Sequence, residues 1–183
     1  MSRLERAAVI LASLVLSFGL IAFLSGFFRD RDNGQLAGSS GGPGRHFRDL
    51  GDVTLRPGQL RPAYDSSPPT SGSHVLAVVT RDRQPLSDDQ LLTALALGDV
   101  VIMYGGDAPP AALVRLADTV AGPFTPVLAA AGQAVILSRS SGLGDFVGLA
   151  WTEMIRVKRA ADPLLTSFAS YWLGRGAVRA GGS

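Results

Sequence analysis

The feature that most constrains this chain is an apolar run near its N-terminus. Residues 7–28 contain no charged residue and no proline. As a helix, the run rises roughly 33 Å at about 1.5 Å for each residue, enough to cross a hydrocarbon core of about 30 Å. It is apolar on every side, whereas a helix in a protein core usually keeps a polar stripe. The sequence therefore predicts a transmembrane helix within residues 1–28.

Two kinds of membrane segment compete for this run. A cleaved signal peptide has an apolar core of about 7–15 residues and small residues at its cleavage site. This run is longer, ends in two phenylalanines, and belongs to a chain with no cysteine for a lipid anchor. We therefore expect an uncleaved signal anchor. Arginines flank the run evenly, at positions 3, 6, 29 and 31, so the short, basic N-terminus decides the orientation. We expect a single-pass protein of the cell (inner) membrane with a cytoplasmic N-terminus.

The rest of the chain reads as one extracytoplasmic domain, periplasmic or extracellular. Residues 29–52 are rich in glycine and serine and predict a flexible linker. Residues 53–176 are enough for a packed core without metal or disulfides, and residues 177–183 predict a flexible tail. The formal net charge is +2 and the arginines are scattered, so we expect no binding to nucleic acid.

The pattern of apolar residues predicts a mixed fold. The predicted strands are residues 75–80, 100–104, 125–129, 134–138 and 146–157. The predicted helices are residues 88–97, a segment after Pro109 and Pro110, and a segment after Asp162 and Pro163. Residues 125–129 and 134–138 are expected to pair as a hairpin. The fold class expected is α+β, with a small, mainly antiparallel sheet and helices packed on one face.

One segment carries a motif, PPTSGSH, followed by a helix and by a strand that ends in tyrosine and glycine. The residues of this pattern are Pro68, Pro69, Thr70, Ser71, Gly72, His74, Tyr104 and Gly105. The pattern resembles a bacterial family of unknown function, often membrane-anchored, with a PPTSGPH segment and an HNLEHG helix end. The resemblance covers roughly residues 64–176.

The HNLEHG segment of that family implies a metal site. Histidines at positions i and i+4 face the same side of a helix, and the motif histidine would complete the ligand set. In this chain Thr93, Ala96 and Leu97 stand where the family has His, Glu and His, and Ser73 stands where proline is usual. Only His74 remains. We therefore expect a degenerate site without metal or cofactor.

Other catalytic arrangements are weakly supported. The chain has no cysteine for thiol catalysis, and only His46 and His74 could serve a Ser–His–Asp triad. No G-x-S-x-G elbow is present. We expect no catalytic residues. Tyr171 and Trp172, at the end of the last helix, are candidates for an exposed contact with a partner.

These features predict a non-enzymatic accessory or assembly subunit of a larger membrane protein complex (respiratory, photosynthetic or envelope). The anchor would bind the lipid bilayer and the outward domain would bind protein partners. The alternative is an extracytoplasmic metal-binding or hydrolytic domain with a remodelled site. A metal assay on the purified protein distinguishes the two.

Overall fold

A computed structural model describes residues 41–177 of the chain. The predicted transmembrane helix lies outside these residues, as does nearly all of the predicted tail. Within residues 41–177, no helix is both long and apolar enough to cross a bilayer. The elements in chain order are β1 (Arg45–His46), α1 (Asp88–Leu97), β2 (Val100–Tyr104), α2 (Ala111–Ala121), α3 (Pro126–Ala130), β3 (Val135–Arg139), β4 (Phe146–Ala150), β5 (Glu153–Val157) and α4 (Pro163–Trp172).

The five strands form one sheet in the order β1-β5-β4-β2-β3. Only β2 and β3 are parallel; the other three pairs are antiparallel. The predicted α+β class and the mainly antiparallel sheet are confirmed. The helix α1, predicted at residues 88–97, begins with a capping box in which Ser87 and Gln90 bond each other's backbone, and it ends at Gly98 in the left-handed conformation.

The helices lie on both faces of the sheet, so the prediction of a single helical face is wrong. Helices α1 and α3 pack on one apolar cluster with Val101 and Met103. Helices α2 and α4 pack on the other with Val100 and Ile102. All five residues of β2 are buried and nearly all are apolar, which requires cover on both faces.

Two other predictions are corrected. The predicted hairpin strand at residues 125–129 is the short helix α3, with Thr125 as its N-cap and Pro126 at its first position, where the missing N–H costs nothing. The predicted long strand at residues 146–157 is two strands joined at Trp151 and Thr152. Thr152 adopts a φ of 62°, a left-handed turn that its side chain does not signal in the sequence.

The outer edge of β3 is covered by residues 82–84. The N–H of Leu137 donates to Asp82 Oδ1 at 2.8 Å, and the N–H of Arg83 donates to the Leu137 carbonyl at 2.8 Å. The N–H of Arg139 donates to the Gln84 carbonyl at 3.3 Å. This short segment therefore occupies the hydrogen-bonding groups that an edge strand usually leaves open.

Part of the segment predicted as a linker is built into the fold. Arg45–His46 pairs with β5, and Trp172 Nε1 donates to the Pro43 carbonyl at 2.7 Å. A Cβ at Gly42 would collide with the rings of Tyr171 and Trp172. Glycine at this position therefore allows the backbone to lie directly on α4.

Candidate functional site

The PPTSGSH loop joins two other parts of the fold. Thr70, Ser71 and Gly72 are buried. The Thr70 carbonyl accepts from the N–H of Thr152 at 2.9 Å, and Ser71 Oγ donates to the Arg48 carbonyl at 3.0 Å. The loop also contains a cis peptide bond between Ser67 and Pro68. These contacts give the motif residues a structural role between the β4–β5 turn and the segment after β1.

His74 is 3% exposed. Its Nδ1 donates to the Gly72 carbonyl at 2.9 Å, because a carbonyl only accepts. Its backbone pairs with the segment before it: the His74 N–H donates to the Val53 carbonyl at 3.1 Å, and the N–H of Leu55 donates to the His74 carbonyl at 2.8 Å. His74 therefore holds residues 53–55 beside the chain that follows the motif.

The residues of the predicted degenerate site are packed into the fold. Thr93 is buried, and its Oγ1 accepts from the N–H of Ala77 at 3.0 Å. Ala96 is part of the core, and Leu97 is half-buried with its carbonyl against Gly132, which has no room for a Cβ. Among residues 41–177 no group of three or more His, Asp or Glu side chains is placed to hold a metal ion.

Asp89 lies one turn before Thr93 on α1 and binds the same neighbouring segment. Its Oδ1 accepts from the N–H of Val75 at 2.8 Å, and its Oδ2 accepts from Arg61 at 2.7 Å. Burial acts to raise the pKa of Asp89, but the hydrogen bonds from Val75 and Arg61 together outweigh burial and lower that pKa. The carboxylate thus stays charged at neutral pH and fixes Val75 to the helix.

Residues 75–80, predicted as a strand of the sheet, are instead an extended segment outside it. Asp89 and Thr93 take the N–H groups of Val75 and Ala77, which alternate along the segment. In an extended chain the N–H and C=O groups of the residues between them point the opposite way. Residues 76–78 thus have one side fixed to α1 and one side open, and we call the open side the 76–78 edge.

The 76–78 edge is unpaired and apolar. Leu76 is 64% exposed and Val78 is 41% exposed. Within the described part of the chain, the backbone groups of these two residues have no hydrogen-bond partner. Residues 53–55 occupy this side beside His74, but the chain then turns at Arg56, whose carbonyl accepts from the N–H of Gln59 at 3.1 Å. Among residues 41–177, no segment therefore pairs with the backbone of Leu76 and Val78.

The remaining predicted site residues lie elsewhere. Tyr104 is buried in β2, and Gly105 packs its backbone against that of Leu143. Trp172 is buried beneath Pro43, as described above. Tyr171 is half-buried and contacts the Trp172 ring edge-on, with a centroid separation of 4.8 Å. The two aromatic residues contribute to packing within the domain, and neither lies on the 76–78 edge.

Sequence reasoning missed one contact between side chains of β1 and β5. His46 Nδ1 and Glu153 Oε1 are 2.6 Å apart in directly opposed positions of β1 and β5. Glu153 is fully buried, and its Oε2 has no hydrogen-bond partner. His46 was placed in the predicted linker, and no local pattern links it to a residue more than a hundred positions away. Only the pairing of the strands brings the two together.

Comparison with known proteins identifies a family. A family model described as a protein of unknown function (DUF3105) matches residues 59–179, and the chain belongs to that family. No curated protein and no solved structure gives a significant match. Membership in a family of unknown function, as the resemblance implied, is confirmed; the role of the individual motif residues stays a prediction.

Proposed function

We propose that this member of the DUF3105 family is a non-enzymatic accessory or assembly subunit, and that it binds a partner protein along the 76–78 edge. The observation that carries the proposal is the unpaired backbone of Leu76 and Val78 beside their exposed apolar side chains. An extended segment of a partner can add to such an edge as a strand. Main-chain hydrogen bonds then give affinity, and alternate side chains give specificity.

The edge is prepared for this kind of binding. Asp89 and Thr93 hold Val75 and Ala77 from the inner side, so the segment does not have to be ordered when a partner arrives. Ordering an extended residue costs about 1–2 kcal/mol of backbone entropy. A segment that is already fixed avoids most of this cost on its own side of the interface.

The edge also lacks the features that natural proteins use to block strand addition. Exposed edges usually carry charged side chains or proline. Residues 74–80 contain neither. An exposed apolar edge without protection favours aggregation in a protein that has no partner, which supports its use as an interface.

The degenerate site supports the non-enzymatic part of the proposal. The motif resemblance implies a histidine at the position of Thr93. Here the Thr93 hydroxyl instead accepts the N–H of Ala77, while Ala96 packs in the core. The resemblance implies metal ligands on helix α1. In this chain, side chains of α1 instead bind the inner side of the segment that carries the 76–78 edge.

The apolar run at residues 7–28 supports an N-terminal anchor in the cell (inner) membrane, with the domain extracytoplasmic and the partner in the same membrane. The full-length chain should stay in the membrane fraction after a carbonate wash. Recovery in the soluble fraction of a mature chain that begins after Gly26 would contradict the anchor.

Hydrogen exchange tests the binding mode residue by residue. The full-length chain is purified alone and with its co-purifying partner from solubilised membranes, and amide exchange is compared. We expect the amides of Leu76 and Val78 to exchange fast in the isolated chain and slowly in the complex, because only these would gain bonds. The amides of Val75 and Ala77 should change little.

Two matched variants complete this experiment. Leu76→Arg places a charge on the edge and should abolish co-purification, whereas Val127→Arg places the same charge on another exposed apolar residue and should not. The proposal is wrong if no partner protein co-purifies with the wild-type chain from solubilised membranes. It is also wrong if a complex forms while Leu76 and Val78 exchange as fast as before.

A further inference from the structure

Hydrogen bonds already made inside the domain limit the length of strand that the 76–78 edge can accept. On the open side of this segment, His74 is the residue that precedes Leu76, because backbone groups alternate along an extended chain. His74 is fully engaged there: its N–H donates to the Val53 carbonyl at 3.1 Å, and its carbonyl accepts from the N–H of Leu55 at 2.8 Å. An added strand therefore finds no free backbone group before Leu76.

Pro57 explains why the pairing of residues 53–55 stops at this point. These residues run parallel to the segment that carries the edge. If the parallel ladder continued, the N–H of residue 57 would donate to the Leu76 carbonyl. Proline has no N–H, and the chain turns at residues 56–59 instead. The domain's own pairing thus ends where the open edge begins.

The other end of the edge is limited by the cover on β3. Thr80 is exposed, and within residues 41–177 its backbone groups have no hydrogen-bond partner. Beyond it, residues 82–84 bond to β3 as described above. Of this segment, only Leu76, Val78 and Thr80 can therefore pair with an added strand. Five residues of an extended strand span about 17 Å, at about 3.3 Å each.

The exposed side chains of these three residues differ along the edge. Leu76 and Val78 are exposed and apolar, whereas Thr80 is exposed and carries a hydroxyl. Side chains that lie opposite each other on paired strands contact one another, and like pairs with like in apolar character. The edge thus matches a strand that has apolar side chains beside Leu76 and Val78 and a polar side chain beside Thr80.

We infer that the partner contributes the end of a strand: about five extended residues that stop beside Leu76, with apolar side chains at that end and a polar one beside Thr80. This inference rests on the proposed strand addition and specifies the segment that is added. A strand that continued past Leu76 would meet the position that residues 53–55 already occupy beside His74. The partner chain therefore ends or turns at that point.

Photo-crosslinking from the full-length chain identifies the partner segment. Benzoylphenylalanine is introduced in place of Thr80, of Val78, or of Val127, an exposed apolar residue outside the edge. In solubilised membranes, we expect the probes at Thr80 and Val78 to link a partner chain and the probe at Val127 to give no such link. Mass spectrometry then gives the two linked partner residues, and their order shows which way the partner strand runs.

Synthetic peptides from the linked segment locate the end of the strand. The reference peptide runs from the residue linked at Thr80 to the residue expected beside Leu76, and fluorescence anisotropy measures its binding to the full-length chain in detergent. Removal of the two residues nearest Leu76 should weaken binding about tenfold, because backbone hydrogen bonds to Leu76 are lost. Addition of two residues past Leu76, from the partner sequence or as alanines where that chain stops, should leave the affinity unchanged.

The outcomes separate this inference from the proposed function. A gain of about tenfold on lengthening the peptide past Leu76 would overturn the inference, because the strand would then pair beyond its expected end. Strand addition itself would still stand. Absence of a link from both Thr80 and Val78 would contradict strand addition, and the inference with it. Leu76→Arg should weaken the reference peptide while Val127→Arg, the matched control, should not; equal binding by the two variants would also contradict both.

Discussion

Replacement of Asp99 with asparagine should change how the stability of this domain depends on pH. Asp99 lies between the end of α1 and the start of β2 and is 1% exposed. Its Oδ1 accepts from the N–H of Ala134 at 2.8 Å, and its Oδ2 has no hydrogen-bond partner. Burial raises the pKa of Asp99 to about 7, and the hydrogen bond from Ala134 only partly opposes this.

The sign and size of the effect follow from this pKa. The unfolded chain releases the proton near pH 3.8, whereas the folded domain keeps it until about pH 7. Between these values the folded state binds more protons, so the free energy of unfolding falls as the pH rises. The difference between about 7 and 3.8, at about 1.36 kcal/mol for each pH unit, gives a loss of about 4 kcal/mol. The loss is absent below about pH 4 and complete above about pH 7.

The assay is urea unfolding of the full-length chain in detergent at a series of pH values, followed by tryptophan fluorescence. Asparagine keeps an oxygen that can accept from Ala134 but does not ionise. We expect the difference in unfolding free energy between Asp99→Asn and the wild type to shift in favour of the variant from pH 4 to pH 7, and then to level off. Asp107→Asn removes an exposed carboxylate and should not change the slope. Parallel curves for Asp99→Asn and the wild type would refute the reasoning.

Two further predictions concern the degenerate site and the contact between His46 and Glu153. Introducing Thr93→His, Ala96→Glu and Leu97→His together should destabilise the domain, since each unpaired buried polar group costs about 1–3 kcal/mol; urea unfolding measures this, and added zinc should restore part of the loss if His74 completes a site. A triple variant as stable as the wild type without zinc would show that these positions are not packed. His46→Ala should cost about 1–3 kcal/mol, because it leaves the buried Glu153 carboxyl without the hydrogen-bond partner of its Oε1, and urea unfolding measures the loss. A His46→Ala variant as stable as the wild type would contradict this role of the contact.

The sequence predicted those elements whose signals are local. The capping box of Ser87 and Gln90, the stop at Gly98 and the proline at the start of α4 each mark an element boundary within a few residues. The buried strand β2 is recognisable because nearly every residue in it is apolar. These elements depend on neighbours in sequence, and they are where the prediction and the structure agree.

The corrections arise where the partner of a segment is distant in sequence. Residues 75–79 have the composition of a strand, but their inner hydrogen bonds go to Asp89 and Thr93, which are helix side chains. An apolar alternating pattern indicates an extended chain and does not identify what that chain pairs with. The helix α3 is only five residues long, and at that length apolar composition does not separate a helix from a strand.

The position of the candidate site was predictable, but its contacts were not. Thr93 was singled out as part of a degenerate, metal-free site, and the structure places its hydroxyl on the N–H of Ala77, beside the 76–78 edge. The bond between Asp89 and Val75 was not predictable, because it depends on the path of the chain between them.

The covered edge of β3 sets a limit on stoichiometry. Residues 82–84 occupy that edge, and β1 at the other end of the sheet is only two residues long. Among residues 41–177, only the 76–78 edge is therefore open to the addition of a strand. A subunit with one open edge can accept one partner strand, whereas growth into a fibre needs both a donor and an acceptor edge on every copy. If a partner strand adds beside Leu76 and Val78 as proposed, each domain would therefore accept one such strand, and the complex would have a fixed size.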